Sequence, residues 1–132
     1  MASLGLAALP ATADDPDRAF AAKTFAEAVA ALGGALAANP LVTLVAPAAA
    51  ENGAFVPITV SSALPGTREI LILVDGNPQP LAARFTIPAG TEAFVATRIR
   101  MAGSGTVYAV ARTDSGLHAA ASAVAVTLSG CG

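Results

Sequence analysis

Hydrophobic positions along this chain follow two different periods, and the change falls near Pro40. From Asp14 to Leu32, apolar side chains recur at three- and four-residue spacing: Phe20, Ala21, Thr24, Phe25, Ala28, Val29 and Leu32. This is one stripe of an amphipathic helix. Asp14 or Asp15 suits its amino-terminal cap, Pro16 its first turn and Asp17 the positive end of its dipole. Gly33-Gly34 marks its end. The spacing therefore predicts a helix over 14–33.

After Pro40 the period becomes two. Residues 41–46, 55–61, 69–74, 82–87, 93–101, 106–113 and 117–128 read as strands. Turn chemistry separates them at Glu51-Asn52-Gly53, Leu64-Pro65-Gly66, Asp75-Gly76-Asn77-Pro78, Pro88-Ala89-Gly90, Gly103-Ser104-Gly105 and Asp114-Ser115-Gly116. About seven short strands with no helical pattern between them predict a mainly β fold. The expected form is an immunoglobulin-like antiparallel sandwich spanning 34–128. Pro57 falls inside the second strand and implies an edge or a bulge there.

Several strands are apolar on both faces. Ile70, Ile72 and Val74 alternate with Leu71 and Leu73, and Val124, Val126 and Leu128 alternate with Ala123 and Ala125. A half-exposed sheet alternates apolar with polar, so the outer face here is expected to be covered, by the helix or by another subunit. The isolated chain is accordingly expected to be poorly soluble or to self-associate.

Composition sharpens this picture. Of 132 residues, 55% are apolar but only 5% aromatic, with no tryptophan, so the core must be built from Val, Ile, Leu and Ala, with Phe20, Phe25, Phe55, Phe85, Phe94 and Tyr108 as its few large pieces. A formal charge of −2, with one lysine and six scattered arginines, offers no basic surface for nucleic acid. The uncharged run 28–50 is interrupted by Gly33-Gly34, Asn39-Pro40 and Pro47, and reads as helix end, linker and first strand, not as a membrane span. Residues 1–13 carry no charged side chain and end in Ala11-Thr12-Ala13 before Asp14. That is the apolar part and small-x-small cleavage site of an export signal, lacking the positive start; an ordinary amino-terminal extension is the alternative.

Candidate chemistry is sparse. His118 has no second histidine or cysteine near it in sequence for a metal, and reads as structural. The acidic residues form no evident catalytic pair. Arg98 and Arg100 point to one side of their strand, toward solvent or an acidic partner. The single cysteine, Cys131, stands in the uncharged tail Thr127-Leu128-Ser129-Gly130-Cys131-Gly132. Lone cysteines are usually small core hydrophobes, but here glycine on both sides removes bulk and frees the backbone. Residues 129–132 fully extended reach about 13 Å at about 3.3 Å per residue, enough to carry the sulfur into a pocket of another protein. The terminal carboxylate one residue away opposes thiolate formation, which suits a carrier activated by its partners better than a nucleophilic enzyme. Two other readings remain open: a structural or adhesive sandwich whose cysteine forms an intermolecular disulfide, and an enzyme using Cys131 as nucleophile.

The tail is similar to the Gly-Gly-Cys-Gly-Gly ending of the SoxY family, sulfur-carrier subunits of the periplasmic Sox thiosulfate-oxidation system. Three further segments carry the resemblance: Glu51-Asn52-Gly53 followed by Val56-Pro57-Ile58-Thr59-Val60; Val74-Asp75-Gly76-Asn77-Pro78; and Thr97-Arg98-Ile99-Arg100. It runs from about Phe20 to the end. The resemblance implies an immunoglobulin-like sandwich with an amino-terminal helix, paired with a SoxZ subunit as a heterodimer in the periplasm. It implies covalent attachment of thiosulfate to Cys131, with Ser129, Gly130 and Gly132 as the flexible arm, no metal and no resident cofactor beyond the sulfur adduct. It further implies three kinds of partner enzyme: a haem-containing conjugating enzyme, a dimanganese sulfate hydrolase and, in some systems, a molybdenum sulfur dehydrogenase. Two features depart from the pattern. Ser129 stands where the family usually has glycine, and the family's final glycine has no counterpart.

Overall fold

The computed structural model describes residues 15–128. The 1–13 segment and the arm residues Ser129, Gly130, Cys131 and Gly132 lie outside the described residues.

The amino-terminal helix is in fact two. Helix α1 spans Pro16–Ala21 and α2 spans Phe25–Ala31. Asp15 caps α1 by accepting from the Arg18 N–H at 3.1 Å. Ala22 then leaves the helix for an extended conformation. Thr24 starts α2 by accepting from the Glu27 N–H at 3.1 Å, while the Glu27 carboxylate reaches back to the Lys23 N–H at 3.2 Å. Thr24-x-x-Glu27 is thus a capping box, and it breaks the single stripe expected from periodicity. The break turns Ala19, Ala22, Ala28, Ala31 and Leu32 inward and leaves Phe20 exposed.

Nine strands follow: β1 Leu36–Ala38, β2 Val42–Val45, β3 Ala49–Asn52, β4 Val56–Ser62, β5 Glu69–Asp75, β6 Leu81–Thr86, β7 Phe94–Ile99, β8 Gly105–Thr113 and β9 Gly116–Leu128. Seven correspond to the expected strands; β1 and β3 are additional. One sheet has the order β1-β9-β8-β5-β6, with β3 also pairing β9; the other is β2-β4-β7. Both extra strands run parallel to β9, β1 along Leu117 to Ala119 and β3 along Ala125 to Leu128. Between them the chain crosses to the other sheet as β2. The remaining pairings are antiparallel, as in an immunoglobulin-like sandwich.

Strand β5 explains why apolar residues occupy both of its faces. Ile70, Ile72 and Val74 point into the inter-sheet core with Val56, Val60 and Val107. Leu71 and Leu73 point the other way, under α1 and α2, with Ala28, Leu32 and Val110. Each such fully buried aliphatic side chain contributes about 1.5–3 kcal/mol. The chain's own helix layer therefore covers this part of the large sheet, and Phe25 stacks on Tyr108 with ring centroids 4.5 Å apart. Ala123 and Ala125, farther along β9, remain exposed.

Pro57 lies on the middle strand of the small sheet, but β2 pairs with β4 only as far as Thr59. Beyond that point β4 has an open side, where a missing N–H costs no ladder bond. No helix among the described residues is long and apolar enough to cross a membrane.

Candidate functional site

The tail begins where β9 ends, so the site is built from whatever holds Leu128. Strand β9 pairs with β8 from Gly116 to Val124, and β8 then turns away. For its last residues β9 is held differently. The Ser104 hydroxyl accepts from the Val126 N–H at 2.8 Å, the Ala48 carbonyl accepts from the Ala125 N–H at 2.9 Å, and Asn52 lies in register with Leu128. The backbone is thereby positioned up to the residue from which the arm starts.

The segments that surround this point are far apart in sequence. The buried Gly53 accepts at its carbonyl from the Met101 N–H at 2.7 Å. Asn77 donates through Nδ2 to the Arg100 carbonyl at 2.8 Å and accepts at Oδ1 from the Ala102 N–H at 2.9 Å, pairing with the 100–102 backbone much as a strand would. Gly105 starts β8 so close to this turn that a Cβ there would lie 2.4 Å from the Asp75 carbonyl oxygen. Gly76, with φ of 113°, makes the bend that brings Asn77 into position. The Glu51-Asn52-Gly53, Asp75-Gly76-Asn77 and Arg98-to-Arg100 segments, noticed separately in the sequence, thus meet at one pole around the end of β9.

Arg98 and Arg100 are both exposed here, and Phe55 is 67% exposed at the same pole. Sequence reading had counted Phe55, with Phe20 and Phe94, among the few large pieces of the core; all three are exposed instead. The signal at Phe55 was an aromatic placed directly before a strand, on the parity opposite to the core residues Val56, Ile58 and Val60.

His118 is held at the other end of β9. Its Nε2 lies 2.9 Å from the Ser115 hydroxyl and its Nδ1 3.3 Å from Asn39 Nδ2. Asn39 Oδ1 is already taken by the Leu41 N–H at 2.9 Å, so the amide presents its donor to Nδ1. His118 must then carry its proton on Nε2 and donate to Ser115, which is the wrong polarity for a base acting on that hydroxyl. Ten residues of β9 separate His118 from Leu128, about 33 Å at about 3.3 Å per residue. A tail of three residues to the sulfur spans about 10 Å. His118 lies at the opposite end of β9 from Leu128, where it ties the end of β1 to the β8–β9 turn.

A polar cluster that the sequence did not reveal also lies at this far pole. Glu69 receives Arg84 Nε at 2.7 Å, Arg84 Nη2 at 3.1 Å and Arg112 Nε at 2.7 Å, while Arg112 Nη2 donates to the Leu32 carbonyl at 2.9 Å. This network fastens the carboxyl end of α2 to the large sheet. Among the described residues no group of His, Cys, Asp and Glu is placed to hold a metal ion. A groove of about 610 Å³, almost wholly apolar, opens beside Phe25, Val29, Leu36 and Tyr108. Tyr108 is its only titratable side chain.

No curated protein matches the chain. The structure resembles that of the sulfur carrier protein SoxY from Chlorobium limicola f thiosulfatophilum, with a TM-score of 0.63 and 33% identity over 70% of this chain and 84% of that one. The family model for sulfur oxidation protein SoxY matches residues 28–131, from α2 through the cysteine of the tail. With most of its length accounted for in this way, the chain belongs to the SoxY family of sulfur oxidation proteins.

Proposed function

We propose that this chain is a periplasmic sulfur carrier without turnover of its own, holding thiosulfate-derived sulfur covalently on Cys131 and presenting it to partner enzymes. What supports the reading most is the convergence at one pole. The segments shared with the family surround the end of β9, and the single cysteine follows three residues later. A rigid root followed by Ser129, Gly130, Cys131 and Gly132 gives a defined starting point and a slim end, which is what delivery into a narrow active site requires.

The chemistry balances as follows. Joining the Cys131 thiol to the sulfane sulfur of thiosulfate forms an S–S bond, releases the thiol proton and gives up two electrons, which the haem-containing conjugating enzyme accepts. The dimanganese hydrolase then uses water to release sulfate, leaving a persulfide on Cys131 and no change in oxidation state overall. In systems that have it, a molybdenum sulfur dehydrogenase oxidises the remaining sulfur. The SoxZ subunit accompanies the carrier throughout. The sulfur is cargo, and the chain needs no resident cofactor or metal.

Intact-mass measurement tests this. Incubation with thiosulfate and the conjugating enzyme is expected to give a thiosulfonate adduct on the wild-type chain and none on Cys131→Ser. If the only product is a disulfide-linked dimer, the cysteine is a structural cross-link and the carrier reading fails.

A further inference from the structure

The fold sets its arginines in different surroundings. Arg84 and Arg112 are bound to Glu69, and Arg68 pairs with Asp114. Arg98 lines a groove on the outer face of the small sheet with Pro57 and Thr59. Arg100, two residues farther along, lines a separate pocket of about 310 Å³ at the pole where the arm starts. Asn77, Pro78, Gln79 and Leu81 line this pocket from the β5–β6 connection, and Ala102 lines it beside Arg100.

The lining sorts into donors and apolar surface. Among the described residues, Arg100 is the only charged side chain that lines the pocket. Asp75, two residues before Asn77, is exposed and outside the lining. Asn77 has its acceptor Oδ1 occupied by the Ala102 N–H at 2.9 Å and gives one Nδ2 hydrogen to the Arg100 carbonyl at 2.8 Å. That amide carries a second Nδ2 hydrogen, and the exposed Gln79 adds another amide. Pro78 and Leu81 are apolar. A cation with amide donors, no carboxylate and an apolar side suits an anion that has several oxygens at one end and soft, weakly hydrated atoms behind them. A sulfonate attached to sulfur has that form, and a guanidinium can meet two of its oxygens at once.

The pocket is within range of the arm. The Met101 N–H bonds the Gly53 carbonyl, Gly53 follows Asn52, and Asn52 is the register partner of Leu128. Along that path Leu128 and Arg100 are at most about 18 Å apart, at about 3.8 Å per peptide and about 4.8 Å per strand pairing. Three residues of tail reach about 10 Å, and the adduct and the Arg100 side chain bridge the remainder.

We propose that the pocket formed by Asn77, Gln79 and Arg100 binds the sulfonate end of the thiosulfate adduct carried on Cys131 of the same chain. The inference rests on the carrier reading and adds to it an intramolecular site for the loaded arm. Free thiosulfate offers the same chemistry without the tether.

The test uses the full chain with its SoxZ subunit. Tetrathionate loads Cys131 without an enzyme: the thiolate forms an S–S bond to one inner sulfur, the central S–S bond breaks, and thiosulfate leaves with its electron pair. The side-chain amide signals of Asn77 and Gln79 are then followed by NMR. Loading is expected to shift both in wild type at any protein concentration, and dithiothreitol to return them as it removes the adduct. Arg100→Gln is expected to lower the ratio of docked to free arm at least about tenfold, Gln79→Ala by less, and Arg100→Lys to keep part of the effect. Arg68→Gln, at the far pole, is expected to change nothing. These positions are exposed, and circular dichroism confirms that each variant folds. In Cys131→Ser, added thiosulfate is expected to move the same signals more weakly because it lacks the tether. Unmoved signals in the loaded wild type, a shift that survives Arg100→Gln, or one that grows with protein concentration overturns the proposal. So does a pocket that free thiosulfate fills while the loaded arm leaves it empty. Enzymatic loading, followed by intact mass, separates the two readings. Normal enzymatic loading with unmoved amide signals sinks the pocket alone, and absent enzymatic loading with the tetrathionate adduct docked at Arg100 sinks the carrier alone.

Discussion

Asn52 stands opposite Leu128 as the last register pair of the parallel β3–β9 ladder. The residue that precedes the tail is therefore tied to the segment that runs through Gly53 to Phe55, and Gly53 in turn is bonded to Met101. Flexibility is wanted in the arm and not in its root. On the carrier reading, a root that moved would spread the sulfur over a larger volume and lower its effective concentration at a partner's active site.

Asn77 is the side chain most responsible for that rigidity. It joins the β5–β6 turn to both Arg100 and Ala102. Asn77→Ala removes a donor and an acceptor at once and is expected to cost about 1–3 kcal/mol, read by urea unfolding. Asn77→Asp keeps the acceptor for the Ala102 N–H and loses the donor to the Arg100 carbonyl, so it should fall between wild type and Asn77→Ala. Amide exchange at Ala102 should quicken in Asn77→Ala and much less in Asn77→Asp. Equal stability of all three proteins would mean that backbone packing, not Asn77, holds the loop.

Two glycines two residues apart make opposite predictions. A Cβ on Gly105 would press to 2.4 Å from the Asp75 carbonyl oxygen, which is backbone and cannot swing aside. Gly105→Ala should therefore destabilise by about 1–3 kcal/mol, the usual cost of forced overpacking. Gly103 has nothing within 4 Å of the same position, so Gly103→Ala should change stability by no more than about 0.5 kcal/mol. Thermal melts of the pair decide the point, since both substitutions add one methyl to the same loop.

Where the sequence was readable, physics of alternation made it so. Strands β2, β4, β5, β6, β7, β8 and β9 were each expected from a period of two bounded by turn residues, and the boundaries moved by only one or two residues. Strands β1 and β3 were invisible for a concrete reason. Leu36–Ala38 and Ala49–Asn52 are three and four residues long and mostly alanine, so they have no alternation to read and exist because β9 offers an open edge. The single helix was misjudged because a capping box, Thr24 with Glu27, was overlooked in favour of the apolar stripe. Phe20, counted in that stripe, is exposed as a result. The site shows the same division. The loop segments at its pole could each be picked out as motifs, but their meeting depends on long-range register that no local pattern encodes.

Glu69 illustrates an interaction with no local signature at all. Its partners Arg84 and Arg112 lie 15 and 43 residues away, and all three side chains are only 14–15% exposed. Glu69→Ala leaves two guanidinium groups facing one another in a partly desolvated site. The expected cost is about 2–3 kcal/mol, somewhat below that of breaking a fully buried pair because some solvent reaches the cluster. Arg112 also donates to the Leu32 carbonyl, so the same variant should loosen the carboxyl end of α2. Faster amide exchange in α2 than in β4 would show the effect; a uniform change across both would argue that the cluster stabilises the whole sandwich and not the helix docking.

The last prediction separates fold from chemistry. His118 is the one residue besides Cys131 whose side chain suggests acid–base work, yet it sits about 33 Å along β9 from Leu128, beyond the reach of the tail. His118→Gln should cost about 1 kcal/mol by disturbing the bonds to Asn39 and Ser115. On the carrier reading, in which the partner supplies the activating groups, it should leave the rate and extent of Cys131 loading by the conjugating enzyme unchanged. Intact-mass time courses on wild type and His118→Gln measure this directly. Loading that slows in proportion to lost imidazole, in a variant whose melting curve shows it still folded, would require the arm to reach His118 and would contradict the strand geometry that places His118 and Leu128 at opposite ends of β9.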